Sequence, residues 1–320
     1  MAQREINNRS NFGLALQLCA RCDSQVATGL HEKDESNKSC LRLPRTCRVK
    51  AIICHIDLSL PETTMRSALT SVHERMMAAV QKRPADIASG SVPRLVAVSK
   101  LKPVSAIIEA YEYGQRFFGE NYIQELETKS NSDELLAKCP DIKFHFIGHL
   151  QSNKVNKLLK VRNLHMVETV DSVKLADLIN KAIERRATEM LSNACADTGA
   201  NDKLKVLIQV NTSGEEQKNG IQPDQAIELA EHISRNCQWL EFAGLMTIGR
   251  LEGWGDGPNI DFIRLYELRT SVAKSLMIKP TDLELSMGMS GDFEEAITMG
   301  STNVRIGTMI FGERPAKKDS

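Results

Sequence analysis

From Arg94 onward the chain alternates short, apolar, β-branched runs with amphipathic helical stretches, and it does so eight times. No other feature restricts the fold as much. Strand-like runs occur near 94–100, 116–121, 143–148, 164–170, 205–211, 241–248, 283–289 and 303–311. Helical patterns fall near 103–114, 122–130, 152–160, 172–188, 223–236, 259–277 and 292–299, and one more near 62–82 precedes the first strand. Ser152 and Asp171 are candidate N-caps. Strands alternating with helices imply parallel βαβ units. Eight such units in about 250 residues match the count and length of a (β/α)8 barrel. The expected fold is therefore α/β, a single TIM barrel over 62–320. A doubly wound open sheet is the alternative, weakened because no GxGxxG follows the first strand.

The first 61 residues do not share this pattern. They hold five of the eight cysteines and nine basic against six acidic residues, with no sustained period of 2 or 3.6. They are expected to be an extension outside the barrel, either a disordered or targeting segment or a gene-model artefact. Glu32, Asp34 and Glu35 fit an organelle transit peptide poorly. Cys19 and Cys22 have metal-like spacing, but no second close Cys/His pair follows, so no metal is expected. The three later cysteines, Cys139, Cys195 and Cys237, are scattered and suggest a reduced, intracellular protein. Forty-one basic residues balance forty-one acidic ones, which argues against a nucleic-acid or anionic-membrane coat. No apolar run approaches the roughly 18 residues of a membrane span.

In a barrel, functional groups collect at the C-terminal strand ends. Lys100 ends the first strand. Desolvation of its stem lowers the ammonium pKa, and Lys102 would lower it further. A lysine tuned in this way can act as a Schiff-base nucleophile. Taken alone, a solvated lysine at a strand end is the commoner reading. Residues 300–308, Gly-Ser-Thr-Asn-Val-Arg-Ile-Gly-Thr, together with Ser290-Gly291, suggest a phosphate cradle after strands seven and eight; a tight turn with a structural arginine explains them equally well. His145 and His149, four apart on one strand, would face the same side. A core or loop role suits them better than metal ligation. Met287 and Met289 read as packing, and residues 181–186 and Lys317-Lys318 as solvated surface.

Six motifs occur in order: Val98-Ser99-Lys100-Leu101-Lys102-Pro103, Phe118-Gly119-Glu120-Asn121-Tyr122, residues 145–154 (His-Phe-Ile-Gly-His-Leu-Gln-Ser-Asn-Lys), Gly244-Leu245-Met246, Leu285-Ser286-Met287-Gly288-Met289-Ser290 and Arg305-Ile306-Gly307-Thr308. Together they resemble the pyridoxal phosphate homeostasis protein family over about 66–313. The resemblance implies a barrel of the alanine racemase N-terminal type, with pyridoxal 5′-phosphate (PLP) held as a lysine aldimine. On this resemblance Lys100 matches the aldimine lysine, and Ser290, Gly307 and Thr308 match phosphate-binding positions. Arg305 matches an arginine facing the pyridine nitrogen, and Asn121 and Asn153 match pocket-lining positions. The family's usual ending after Phe-Gly is replaced here by Glu313-Arg314-Pro315.

The resemblance implies a PLP carrier in vitamin B6 homeostasis, with PLP-dependent apoenzymes as recipients, rather than an enzyme. A guanidinium beside the ring nitrogen disfavours its protonation and weakens the ring as an electron sink. The chain ends soon after strand eight, leaving no room for the second domain that supplies a racemase's other acid/base. A PLP-dependent amino-acid racemase is the alternative, and a sugar-phosphate aldolase a more distant one. A monomer or weak dimer in the cytoplasm is expected, or in a mitochondrion or plastid if 1–61 is a transit segment.

Overall fold

The computed structural model describes residues 64–85, 87, 92–192, 203–215, 218–250 and 257–313. The expectations for residues 1–61, Cys195 and the segment after Glu313 lie outside these. Eight parallel strands close into a barrel in sequence order: β1 (Arg94–Val98), β2 (Phe117–Glu120), β3 (Lys143–Phe146), β4 (Leu164–Val170), β5 (Leu204–Gln209), β6 (Leu240–Met246), β7 (Glu284–Ser286) and β8 (Asn303–Ile306). Closure runs through β1 and β8, where Arg94 to Ala97 pair with Asn303 to Ile306.

The helices are α1 (Met65–Gln81), α2 (Val104–Glu112), α3 (Ile123–Ser130), α4 (Asp133–Lys138), α5 (Val155–Leu158), α6 (Val173–Ser192), α7 (Ala226–Asn236), α8 (Ile260–Leu276), α9 (Phe293–Thr298) and α10 (Thr308–Phe311). Strand alternation decides what each residue meets. On β3, Phe144 and Phe146 join the main apolar core while His145 faces the barrel interior. On β8, Val304 and Ile306 join that core, and Asn303 and Arg305 turn inward. A small apolar plug of Met166, Leu207, Ala243 and Met246 fills the interior beside β4 to β6. The barrel is thus packed, not hollow, below its mouth.

Several boundaries differ from the sequence reading. The eighth strand stops at Ile306, not 311, because Gly307 leaves the extended conformation (φ −116°, ψ −70°) and starts α10. Asp171 is not the cap of α6: the Ser172 hydroxyl accepts from the Leu175 amide at 3.3 Å. Ser152 does not cap a helix either; it opens a 3-10 turn, Ser152–Lys154, that precedes the short α5. The first helix begins at Met65, where Thr64 accepts the Ser67 amide. The sequence reading did not separate α4 from the loop.

Candidate functional site

A cavity of about 530 Å3 opens at the C-terminal end of the barrel. That volume lies within the roughly 300–1,000 Å3 of small-molecule sites. A larger hollow of about 870 Å3 between α1 and the end of α2 touches no strand end, so the chemistry points to the barrel mouth.

Much of the cavity wall comes from segments just past the strands. Lys100 follows β1, Asn121 follows β2, Ile147 follows β3 and Ile248 follows β6. Ser290, Gly291 and Asp292 come from the β7–α9 loop, Arg305 from β8, and Gly307 and Thr308 from the β8–α10 junction. Six of the seven expected site residues therefore share one cavity. Asn153 does not join them: it is exposed on the 3-10 turn and does not line this cavity.

The Ser290–Thr308 side of the cavity is lined by small residues and backbone. Among the described residues, the Ser290 and Gly291 amides make no hydrogen bond, and both line the cavity. A Cβ on Gly307 would lie 3.3 Å from both Cβ and the carbonyl oxygen of Val98, so glycine lets α10 approach β1 closely. The two acids nearby are tied to backbone: Asp292 accepts the Met289 amide at 2.6 Å, and Glu295 accepts the Asn259 amide at 2.8 Å.

Lys102 lines the same cavity, but its ammonium donates to the carbonyls of Phe311 at 2.6 Å, Gly312 at 3.3 Å and Glu313 at 3.0 Å. It closes the end of α10, where a cation compensates exposed carbonyls.

Beneath the mouth lies a buried polar column that the sequence reading missed. Arg305 donates to Ser286 Oγ at 2.6 Å and to the Thr247 carbonyl at 2.7 Å. Ser286 donates in turn to Glu168, which also accepts from His145 at 2.6 Å and Asn303 at 2.9 Å. Burial drives the Glu168 carboxyl up, but the His145 hydrogen bond, the charges of His145 and Arg305, and the Ser286 hydroxyl outweigh it and hold the pKa down to about 2. Burial lowers Arg305, while the charges of Glu168 and Asp292 raise it. The signal was present in the sequence: Glu168 is an acid inside the apolar run 164–170.

The two histidines do not share a face. His145 is fully buried on β3, and His149 lies past the strand end, exposed, 3.7 Å from Asp171. Each faces a carboxylate that spacing did not reveal. Met287 is core, as expected, but Met289 lines the cavity. Of residues 181–186, Lys181, Glu184 and Arg185 are exposed and Ala182 is buried; Arg185 donates to Asn156 at 3.1 Å and Arg186 to the Leu159 carbonyl, fastening α6 to α5. Among the described residues one group could hold a metal, Asp177, His232 and Cys237, and none of the three lines the cavity.

The family model of the alanine racemase N-terminal domain matches residues 78–315. A human protein named pyridoxal phosphate homeostasis protein is 52% identical over 252 residues, covering 78% of this chain and 87% of its own. A Vibrio cholerae protein of the same name is 44% identical over 229 residues, covering 71% and 88%. The chain belongs to the pyridoxal phosphate homeostasis protein family. Among solved structures, PipY of Synechococcus elongatus with PLP bound superposes with a TM-score of 0.56 at 30% identity, covering 75% of this chain and 100% of PipY. A Clostridium difficile alanine racemase, 12% identical with a TM-score of 0.51, covers 76% of this chain and 58% of its own and shares the fold. Among the described residues no helix is long and apolar enough to cross a membrane.

Proposed function

We propose that this protein binds PLP covalently and reversibly through Lys100 and buffers or delivers it to PLP-dependent apoenzymes inside the cell. The observation that carries the reading is the meeting, in one cavity, of a lysine at the end of β1 with anion-ready backbone at Ser290, Gly291 and Gly307. The relatives' names and the PLP-bound PipY structure support the same ligand.

PLP supplies an aldehyde for the lysine, a phosphate and a pyridine ring. Lys100 would supply the amine that holds the aldehyde end of the cofactor. Ser290, Gly291, Gly307 and Thr308 hold the phosphate with amides and hydroxyls. Arg305, fixed by Ser286 and Thr247, presents a permanent positive charge that opposes protonation of the ring nitrogen. Asn121, just past β2, lines the same cavity. The cavity's two acids already serve as backbone acceptors, and neither tyrosine nor histidine lines it among the described residues. This composition favours carriage over racemisation, which needs a second acid/base.

The test is to titrate the purified protein with PLP, then mix it with a PLP-dependent apoenzyme and with a panel of L-amino acids. The expected result is a new absorbance band, reactivation of the apoenzyme and no racemisation. Steady racemisation of any amino acid would make it an enzyme instead.

A further inference from the structure

The lysine that anchors the cofactor occupies a turn whose two flanking residues are both held by groups outside the cavity. Lys102 N–H donates to the Ser99 carbonyl at 3.1 Å, closing a four-residue turn with Lys100 second and Leu101 third. Leu101 has φ 62°, a left-handed conformation that a turn of this kind ordinarily assigns to glycine. A branched apolar residue, half exposed, has no packing reason to stay there.

The reason lies on α3. The Leu101 amide donates to Glu125 Oε1 at 2.6 Å. The buried Lys129 ammonium donates to that same oxygen at 2.6 Å, to Glu120 at 2.7 Å and to the Ser99 carbonyl at 2.8 Å. Ser99 adds a hydroxyl bond to Glu120 at 2.7 Å. The residue before Lys100 and the residue after it are thus fixed to one buried ion network of β2 and α3. None of Glu120, Glu125 and Lys129 lines the cavity.

We infer that Glu125 and Lys129 are positioning residues, which clamp the Ser99–Lys102 turn in its strained form so that Lys100 is presented to the cavity. The inference rests on Lys100 being the PLP anchor. It adds that the turn alone does not hold the lysine in place. If the network only fastened α3 to β2, its loss would lower stability and leave the lysine's behaviour unchanged.

The experiment uses the full chain and three variants: Glu125→Ala, Glu125→Gln and Glu125→Ala with Leu101→Gly. Two quantities are read, the hydrogen-exchange rate of the Leu101 amide without ligand and the equilibrium constant for covalent PLP uptake. Glu125→Ala should speed Leu101 exchange and weaken uptake, each by about tenfold, the scale of one hydrogen bond to a charged group. Glu125→Gln keeps an acceptor and should stay within about twofold of the wild type, at the same scale of bond energies. Adding Leu101→Gly to Glu125→Ala should restore much of the uptake, because glycine takes positive φ without a clamp. A folded Glu125→Ala chain with unchanged exchange and uptake would overturn the inference. So would a Glu125→Gln chain impaired as badly as Glu125→Ala, and that variant keeps the test open if the alanine chain does not fold. A wild type that takes up no PLP would sink the functional reading instead, while Leu101 exchange still reports on the clamp.

Discussion

Two lysines that line the cavity, Lys100 and Lys102, are candidates for the anchoring role. Lys102 spends its ammonium on three carbonyls at the end of α10. It should act as a brace, so Lys102→Met should loosen the C-terminal turn and leave covalent uptake in place, with trypsin sensitivity near Gly312 as the readout. Deeper in the barrel, Arg305 and Glu168 are coupled through Ser286. Removing either partner from a buried pair costs about 3–5 kcal/mol. Arg305→Gln and Glu168→Gln should each be destabilising by that order. The double variant should fall short of their sum by more than about 1 kcal/mol in a urea-denaturation cycle. An additive cycle would show that the column is not a unit.

The same column sets an acid limit. The Glu168 carboxyl falls from 4.5 to about 2 on folding, so its contribution is complete above pH 4.5 and fades as pH drops toward 2. His165 moves from 6.5 to about 3, because burial first, and then the charge of His145, opposes its protonation. The unfolded chain therefore takes a proton below pH 6.5 that the folded chain refuses until about 3, and stability declines over that range. His165→Gln should flatten the decline between pH 6.5 and 4.5, and Glu168→Gln the decline below 4.5. Urea midpoints measured across that range check both.

At the scale of elements, the strands were legible because apolar, β-branched runs bounded by Pro and Gly leave few alternatives. Lys100 and Arg305 were legible as charged residues ending or interrupting such runs. What stayed hidden depended on three-dimensional partners. Ser172 beats Asp171 as a cap because its hydroxyl reaches Leu175, and spacing alone does not choose between neighbours. The end of β8 at Ile306 follows from the turn at Gly307, whose apolar sequel Met309-Ile310-Phe311 reads equally well as strand or helix. Glu168 alone stood out as an acid in an apolar run, but the column around it was hidden because its members come from β3, β4, β7 and β8. Asn153 matched a motif yet stands on an exposed turn, which shows that a motif position is not yet a place in the cavity.

Gly148 offers an element-scale test. A Cβ there would lie 2.0 Å from the Asn121 carbonyl oxygen, so β3 can pass the β2 loop only with glycine at this point. Gly148→Ala should push Asn121 out of the cavity wall and destabilise by about 1–3 kcal/mol, the usual scale of overpacking. Calorimetric melting and PLP affinity together check it, and no change in either would mean the loop is free to move.

For the whole molecule, the barrel closes through β1 and β8, which brings Lys100 beside Gly307 and Thr308 although some 207 residues separate them. The matched family region, 78–315, contains every element of that closure. A chain beginning at Glu62 should therefore fold and take up PLP as the full chain does. Loss of PLP uptake or of the cooperative melt on that truncation would make the first 61 residues part of the working fold. The central claim, that Lys100 carries the cofactor, is tested most directly by reducing the PLP-loaded full chain with borohydride and mapping the label by peptide mass spectrometry. The account predicts one modified residue, Lys100, and none in Lys100→Ala. A label on Lys102, or on any other lysine in its place, would contradict it.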